Sequence, residues 1–274
     1  MIAARREWRA SYAFVELNFR AIKRYWGWEA VWLAFAIVNA LTVAYIAPGG
    51  REVAGEAFAT DRLVLFLVVG TVVWAYLQQV FDSVGFMIAW QRWEGTIEST
   101  FMAPARRLAM VAGTSAFAIV YAFIRALLVL GFVSLFFDLD LLQANWLTAL
   151  ATISVGSVGF LGLALMVAAL PLLFLERGEQ MVMITLAALL LVSGVFYPIE
   201  VLPGWLQVVG RLSPATYVLE GMRAAVLDGA TIGEVAEVFP PLLAIAAVAL
   251  PLGVVVFRAA ERYALRSGRL KRHG

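Results

Sequence analysis

The sequence predicts an all-α integral membrane protein. It has six transmembrane helices, an amphipathic helix lying in the membrane interface at the N-terminus, and an outer re-entrant helical hairpin between helices five and six. Three observations carry this prediction. Of 274 residues, 63% are apolar and 15% charged, against about 25% charged in a soluble domain. The apolar residues gather into continuous runs at 29–46, 63–81, 109–137, 146–174, 181–197 and 239–257. Between those runs, Arg and Lys fall alternately into crowded and sparse segments. The crowded ones hold Arg5, Arg6, Arg9, Arg20, Lys23 and Arg24; then Arg92, Arg106 and Arg107; then Arg258, Arg262, Arg266, Arg269, Lys271 and Arg272. The sparse ones hold only Arg51, Arg62, Arg211 and Arg223. That alternation follows the positive-inside rule and places both termini in the cytoplasm, on the inner face of the plasma membrane.

Each run is read against a hydrocarbon core about 30 Å thick, which takes on the order of 20 helical residues. The third and fourth runs exceed this, so they are expected to tilt or project. Continuous runs, rather than period-two alternation, argue against a β-barrel. Ahead of the first run, residues 5–27 form a helix with Trp8, Tyr12, Val15, Phe19, Ile22 and Trp26 on one stripe and Arg5, Arg9, Glu16, Arg20 and Lys23 on another. Aromatics opposite cations describe a helix in the interface plane; the alternative is a helix packed on a cytoplasmic partner.

The first span stops at Pro48-Gly49-Gly50. The second fades at Asp82 into a cytoplasmic segment, 90–104, which carries Trp90 and Trp93 and is closed by Pro104. Spans three and four are joined outside through Asp138 and Asp140, and spans four and five turn inside at Glu176-Arg177-Gly178-Glu179. From 198 to 230 Pro and Gly punctuate an apolar stretch with room for short helices near 203–212 and 214–228. Neither is long enough to span. The stretch reads as a re-entrant hairpin, because broken backbone at membrane depth requires protein or a wet cavity around it; the alternative is a surface loop with two helices. The sixth span opens at Phe239-Pro240-Pro241, and a basic tail follows.

Composition excludes several functions. There is no Cys, and the one His is His273, so neither a thiolate nor a multi-histidine metal site can form. A net charge of +2 and a pI near 9 arise from residues flanking the spans, where anionic lipid explains them better than nucleic acid does. The only lysines are Lys23, after Ile22, and Lys271, after Leu270. No phosphate loop can therefore be built, since it needs Gly before its Lys. Acidic residues are nearly absent from the spans, with Glu29 and Asp82 at their edges, which weakens a proton-coupled mechanism. Any uphill work would draw its energy from another chain.

Two features stand out inside the spans. Arg125 lies near the middle of span three, at a cost of about 3 kcal/mol on insertion scales, so a wet or protein-lined surrounding and a partner are expected. Glu200 or Glu220 in the hairpin would supply that partner, and the residue is read either as part of a pathway or as a structural pair. Gly156, Gly159 and Gly162, three apart in span four, allow close helix approach within the subunit or across a dimer.

The segment around Glu94-Gly95-Thr96-Ile97-Glu98, with Pro104 beyond, resembles the cytoplasmic coupling segment of type-2 ATP-binding-cassette exporter permeases. Ser193-Gly194-Val195-Phe196-Tyr197-Pro198-Ile199-Glu200, Leu202-Pro203-Gly204-Trp205-Leu206 and Leu212-Ser213-Pro214-Ala215-Thr216-Tyr217 resemble the same family's fifth span and outer hairpin. The resemblance covers nearly the whole chain. It implies one half of a permease: a second permease subunit, expected to be identical, and two copies of a separate ATPase that binds ATP and Mg. This chain itself would bind no cofactor and catalyse nothing. Residues 93–101 would form the helix that sits in a cleft of the ATPase. Gly95 and Thr96 would shape its start, and Glu94 and Glu98 would present one acidic face. Trp93, Ile97 and Phe101 would supply apolar contact, and Glu176–Glu179 a second contact.

The hairpin, with Gly194, Pro198, Glu200, Pro203, Pro214 and Glu220, would gate release. The exported substrate is expected to be hydrophobic or amphiphilic: a drug, a lipid or a lipid-linked glycan. The competing readings are a stand-alone secondary carrier or channel, and a membrane assembly factor that moves nothing.

Overall fold

The computed structural model describes residues 2–49, 60–95, 107–137, 139, 141–174 and 177–267. Eleven helices carry this part of the chain: α1 (Ile2–Arg24), α2 (Trp26–Ala44), α3 (Thr60–Gly85), α4 (Met87–Trp93), α5 (Arg107–Ser134), α6 (Trp146–Val167), α7 (Ala169–Leu173), α8 (Gly178–Val192), α9 (Gly204–Arg211), α10 (Pro214–Leu227) and α11 (Phe239–Arg266). Among the described residues, five stretches are long and apolar enough to cross a membrane: Trp26–Gly49, Arg62–Gly85, Ala109–Ser134, Trp146–Leu173 and Ala236–Arg266. The fifth expected run, at 181–197, is different. Its helix covers Gly178–Val192, 15 residues or about 22 Å at 1.5 Å per residue. It stops because the chain enters a left-handed turn at Gly194 (φ 72°) and meets Pro198.

Local chemistry sets the other boundaries. Asn145 caps α6 by accepting from the Thr148 amide at 3.1 Å. Ser213 caps α10, with Pro214 at the first helical position, where a missing N–H costs nothing. The break at Ala168 between α6 and α7 follows from Pro171, which has no amide to bond the preceding turn. α11 tolerates Pro251 and continues to Arg266, well past the apolar run.

The core surrounds α3, whose apolar window is the most buried of the five. Phe81, Leu77, Ile88, Phe160, Leu172, Leu219, Leu242 and Phe257 are all sealed from solvent. α6 and α11 form the most extensive pairing, and the glycine stripe of span four explains it. A Cβ on Gly162 would lie 2.4 Å from the Ala249 carbonyl carbon, and one on Gly156 would lie 2.0 Å from a Val218 methyl. The stripe therefore packs inside the subunit, against α10 and α11. A second, smaller cluster joins Ala40, Val43, Ala44 and Ala47 to Val64, Leu67, Val68, Val129 and Val133. It holds one end of α2 to α3 and α5. At the other end of α2, every residue from 26 to 32 is exposed except Glu29.

Registers fix the relative levels of the elements. The Asn145 amide donates to the Ala225 carbonyl at 2.8 Å, and Arg62 pairs with Asp228 at 2.8 Å. The C-terminal end of α10 thus lies level with the starts of α3 and α6. Its other end, Pro214, packs against Gly159, midway along Trp146–Leu173.

Candidate coupling segment, hairpin and intramembrane polar cluster

α4 leaves α3 through a bend at Phe86, where the Phe86 amide still bonds the Asp82 carbonyl at 3.0 Å. Met87, Ile88 and Ala89 are buried and anchor the helix. Trp90 and Trp93 are 63% and 76% exposed, so two indoles stand free where the resemblance places contact with a partner. Glu94 is exposed in the turn that follows, and Gly95 adopts φ 68°, a left-handed conformation that ends the helix. Thr96, Ile97, Glu98 and Phe101 lie outside the described residues, as does Glu176; Arg177 is exposed ahead of α8.

α1 has three faces. Ser11 and Phe14 pack against Gly113 of α5, and Asn18 and Ile22 continue that half-buried side. Glu16 and Arg20 pair on another side. Trp8, Tyr12 and Phe19, at helical spacing, are 75%, 62% and 61% exposed, and Trp26, which opens α2, is 71% exposed. Val15 and Ile22, expected on the same stripe, are half-buried instead. These aromatics are open on the surface, while the opposite side of α1 packs along α5.

The hairpin folds back on α8. Ser193 and Ser213 share a hydrogen bond at 3.0 Å, and the Thr216 hydroxyl donates to the Gly210 carbonyl at 2.7 Å. The Tyr197 hydroxyl reaches the Leu191 carbonyl at 2.6 Å. Ser193, Gly194 and Val195 are buried. Their freed carbonyls are met by Arg223, which donates to Gly194 at 2.9 Å and to Val195 at 2.6 Å. Pro203 precedes α9 in extended geometry, while Pro198 leads into a single 3₁₀ turn, Ile199–Val201, that contains the exposed Glu200. Glu220 is exposed on α10, within electrostatic reach of Glu200, Arg211 and Arg223.

Arg125 corrects an expectation. Its partners are neither Glu200 nor Glu220, but Gln79 Oε1 at 2.9 Å and the Trp32 carbonyl at 2.7 Å. Neighbouring Tyr121 interacts with Arg125 and donates its hydroxyl to Glu29. The reason is packing. α5 lies against α2 and α3, whereas the hairpin packs on α3, α6 and α8, so Arg125 finds neutral acceptors on its own side. The outcome is a polar ladder of Glu29, Tyr121, Arg125 and Gln79 across three helices.

With this arrangement in place, the family model for the ABC-2 type transporter matches residues 12–227. The chain belongs to the ABC-2 type transporter family. The match runs from α1 through the end of α10, so it takes in the aromatic helix, α4 and the hairpin together. No curated protein matches the chain.

As an ABC-2 membrane subunit, it is a multi-pass permease component of an ABC transporter, a class that works with an ABC ATPase. Sequence reasoning missed Arg223, Tyr121 and Gln79 of this permease. Arg223 was visible only as one of the few cations on the sparse side. Its spacing from the Gly194 turn gives no sign that the two meet.

Proposed function

We propose that this permease is one half of an ATP-driven exporter that moves a hydrophobic or amphiphilic substrate outward, working as a homodimer with two copies of a separate ATPase. The ABC-2 match across residues 12–227 carries the reading. A chain whose lysines are only Lys23 and Lys271 cannot itself hold nucleotide in a phosphate loop, which supports drawing energy from the partner. The end of the bundle bearing α1 and α4 faces the cytoplasm of the inner membrane. Trp93, Glu94 and Gly95 begin the segment that enters the ATPase, continuing into Thr96, Ile97, Glu98 and Phe101.

Six crossings follow if α8 counts as the fifth, completed by a hairpin that re-enters from the outer side. α10 reaching the middle of Trp146–Leu173, with its irregular neighbour Ser193–Val195 buried, supports that geometry. Closure of the ATPases would move α4 as a rigid body, α1 would pass the motion to α2 and α3, and the hairpin would open to release substrate. The deciding experiment is co-purification followed by transport in sealed vesicles. A stoichiometric ATPase, and outward movement only with that ATPase and ATP, is the expected result. Vectorial transport by the permease alone would overturn the assignment. ATPase stimulation across a panel of lipids and drugs would then narrow the substrate.

A further inference from the structure

The half of α2 nearest α1 stands away from the protein. Among the described residues, two side-chain hydrogen bonds bridge it to α5 there: the Tyr121 hydroxyl on Glu29, and Arg125 on the Trp32 carbonyl. Glu29 and Arg125 carry opposite charges, yet they form no direct ion pair. Among the described residues no carboxylate stands within ion-pair distance of Arg125. The phenol of Tyr121 separates the two charges and holds them one helical turn apart along the seam. A guanidinium carries five N–H donors, more than its acceptors here consume. Trp28 and Trp32 flank the seam, 62% and 46% exposed, edge-to-face at 6.1 Å. Phe117 stacks on Tyr121 at 5.9 Å. Beyond the charges, Ile124, Leu128 and Phe35 are exposed and apolar.

The level of these groups is set by α1. Glu29 lies in the first turn of α2, immediately after the bend at Tyr25 that joins it to the aromatic-striped α1. The sequence alone places Arg125 near the middle of span three, but its partners Trp32 and Gln79 stand only six residues from the α1-side ends of α2 and α3, about 9 Å. On the reading that α1 lies in a membrane surface, Glu29, Tyr121 and Arg125 sit within side-chain reach of that leaflet's phosphates.

We propose that the seam between α2 and α5 binds a zwitterionic phospholipid of that leaflet. Its phosphate lies on Arg125, its ammonium between Glu29 and the Trp28 and Trp32 rings, and its chains run along Ile124, Leu128 and Phe35. The charge order selects the ligand. An anionic headgroup would satisfy Arg125 but meet the Glu29 carboxylate, and a neutral diacylglycerol would leave both charges unanswered. Indole faces attract an alkylammonium, and Arg is the side chain suited to phosphate.

The test is lipid retention by the purified full-length chain in detergent, counted by native mass spectrometry against added phosphatidylethanolamine, phosphatidylglycerol and diacylglycerol. It needs neither transport nor an ATPase, so its failure would leave the exporter assignment standing, and the reverse also holds. Wild-type protein should retain phosphatidylethanolamine most tightly. Arg125→Gln should weaken both phosphate-bearing lipids about tenfold, the scale of a lost charge-assisted hydrogen bond. Glu29→Gln should instead erase the preference for phosphatidylethanolamine over phosphatidylglycerol. Should either variant fail to fold, Trp28→Ala, at an exposed position, should still lower phosphatidylethanolamine retention several-fold. Equal retention of all three lipids by the wild type would overturn the proposal. So would wild-type retention by folded Arg125→Gln, a phosphatidylethanolamine preference that survives in folded Glu29→Gln, or binding of chain-free glycerophosphoethanolamine as tight as that of the lipid.

Discussion

The guanidinium of Arg223 lies 3.5 Å from the centroid of the Phe66 ring. From that position its terminal nitrogens reach the Gly194 and Val195 carbonyls left without helical partners where α8 stops. One side chain on α10 thereby closes the broken end of α8 and pins it to α3. Buried carbonyls without donors are costly, and bonds to a charged donor contribute about 1.5–3 kcal/mol.

Removing that clamp should destabilise the protein more than its position on a short helix suggests. Arg223→Ala should lower unfolding free energy by about 2–3 kcal/mol. Arg223→Lys should recover only part, since one ammonium cannot hold two carbonyls and stack on a ring together. Phe66→Leu should cost about 1 kcal/mol for the lost cation–π contact. Thermal unfolding in detergent would order the three variants. Equal stability of Arg223→Ala and wild type would show that the carbonyls find other donors.

The α6–α11 crossing makes an opposite pair of predictions for two glycines. A Cβ at Gly162 would sit 2.4 Å from the backbone of Ala249, whereas one at Gly131 would meet nothing within 4 Å. Gly162→Ala should therefore force two backbones apart and cost about 1–3 kcal/mol, with reduced yield of folded protein. Gly131→Ala, in the last turn of α5, should be neutral or stabilising by up to about 1 kcal/mol. Size-exclusion profiles and melting temperatures of the two variants would check the contrast.

These relationships show what was legible in the sequence. The helices at 204–211 and 214–227 were readable because Pro203, Ser213 and Pro214 are chemical stop and start signals that act locally. The stripe of α1 was readable in part: period alone puts Trp8, Tyr12 and Phe19 on one open face, but Val15 and Ile22, read onto the same stripe, turn half-buried toward the body of the protein. The partners of Arg125 were not readable. Glu29 to Tyr121 and Gln79 to Arg125 are meetings between helices far apart in sequence, and which faces meet depends on how α2, α3 and α5 pack. The same holds for Arg223, whose role exists only because α8 ends short. The end of α8 was itself misjudged, since Val195 and Phe196 continue an apolar run through the left-handed turn at Gly194 that terminates the helix.

The loop before α11 carries a titratable cap. The Thr231 amide and hydroxyl donate to Glu234 Oε2 at 2.7 and 2.9 Å, and these bonds hold the Glu234 carboxyl below its ordinary range. A folded value below the unfolded one means the contribution is present at pH above the ordinary carboxylate range. It is lost as pH falls through the lowered folded value. NMR titration of labelled glutamate should find Glu234 below the ordinary carboxylate range, and Thr231→Ala, which removes the hydroxyl donor and keeps the amide, should raise it part of the way back. A Glu234 titration unchanged by Thr231→Ala would remove the hydroxyl from the cap, and a Glu234 within the ordinary range in the wild type would refute the cap altogether.

The last prediction concerns the point where the permease is expected to meet its engine. Glu94 is exposed at the end of a helix whose buried side, Met87 to Ala89, is fixed to the body and whose free side shows Trp90 and Trp93. Substitution there disturbs no packing, so Glu94→Lys should insert and melt like wild type, within about 0.5 kcal/mol as for surface changes generally. Its effect should fall on communication instead. If the partner meets the acidic Glu94 with a basic patch, as the charge calls for, reversing it turns attraction into repulsion, so transport should drop at least tenfold while the partner's ATP hydrolysis persists, no longer raised by substrate. Trp93→Ala should weaken co-purification of the ATPase, because exposed aromatics at an interface centre carry much of its energy. Full transport by Glu94→Lys, measured in the same vesicles as wild type, would move the coupling contact away from this turn.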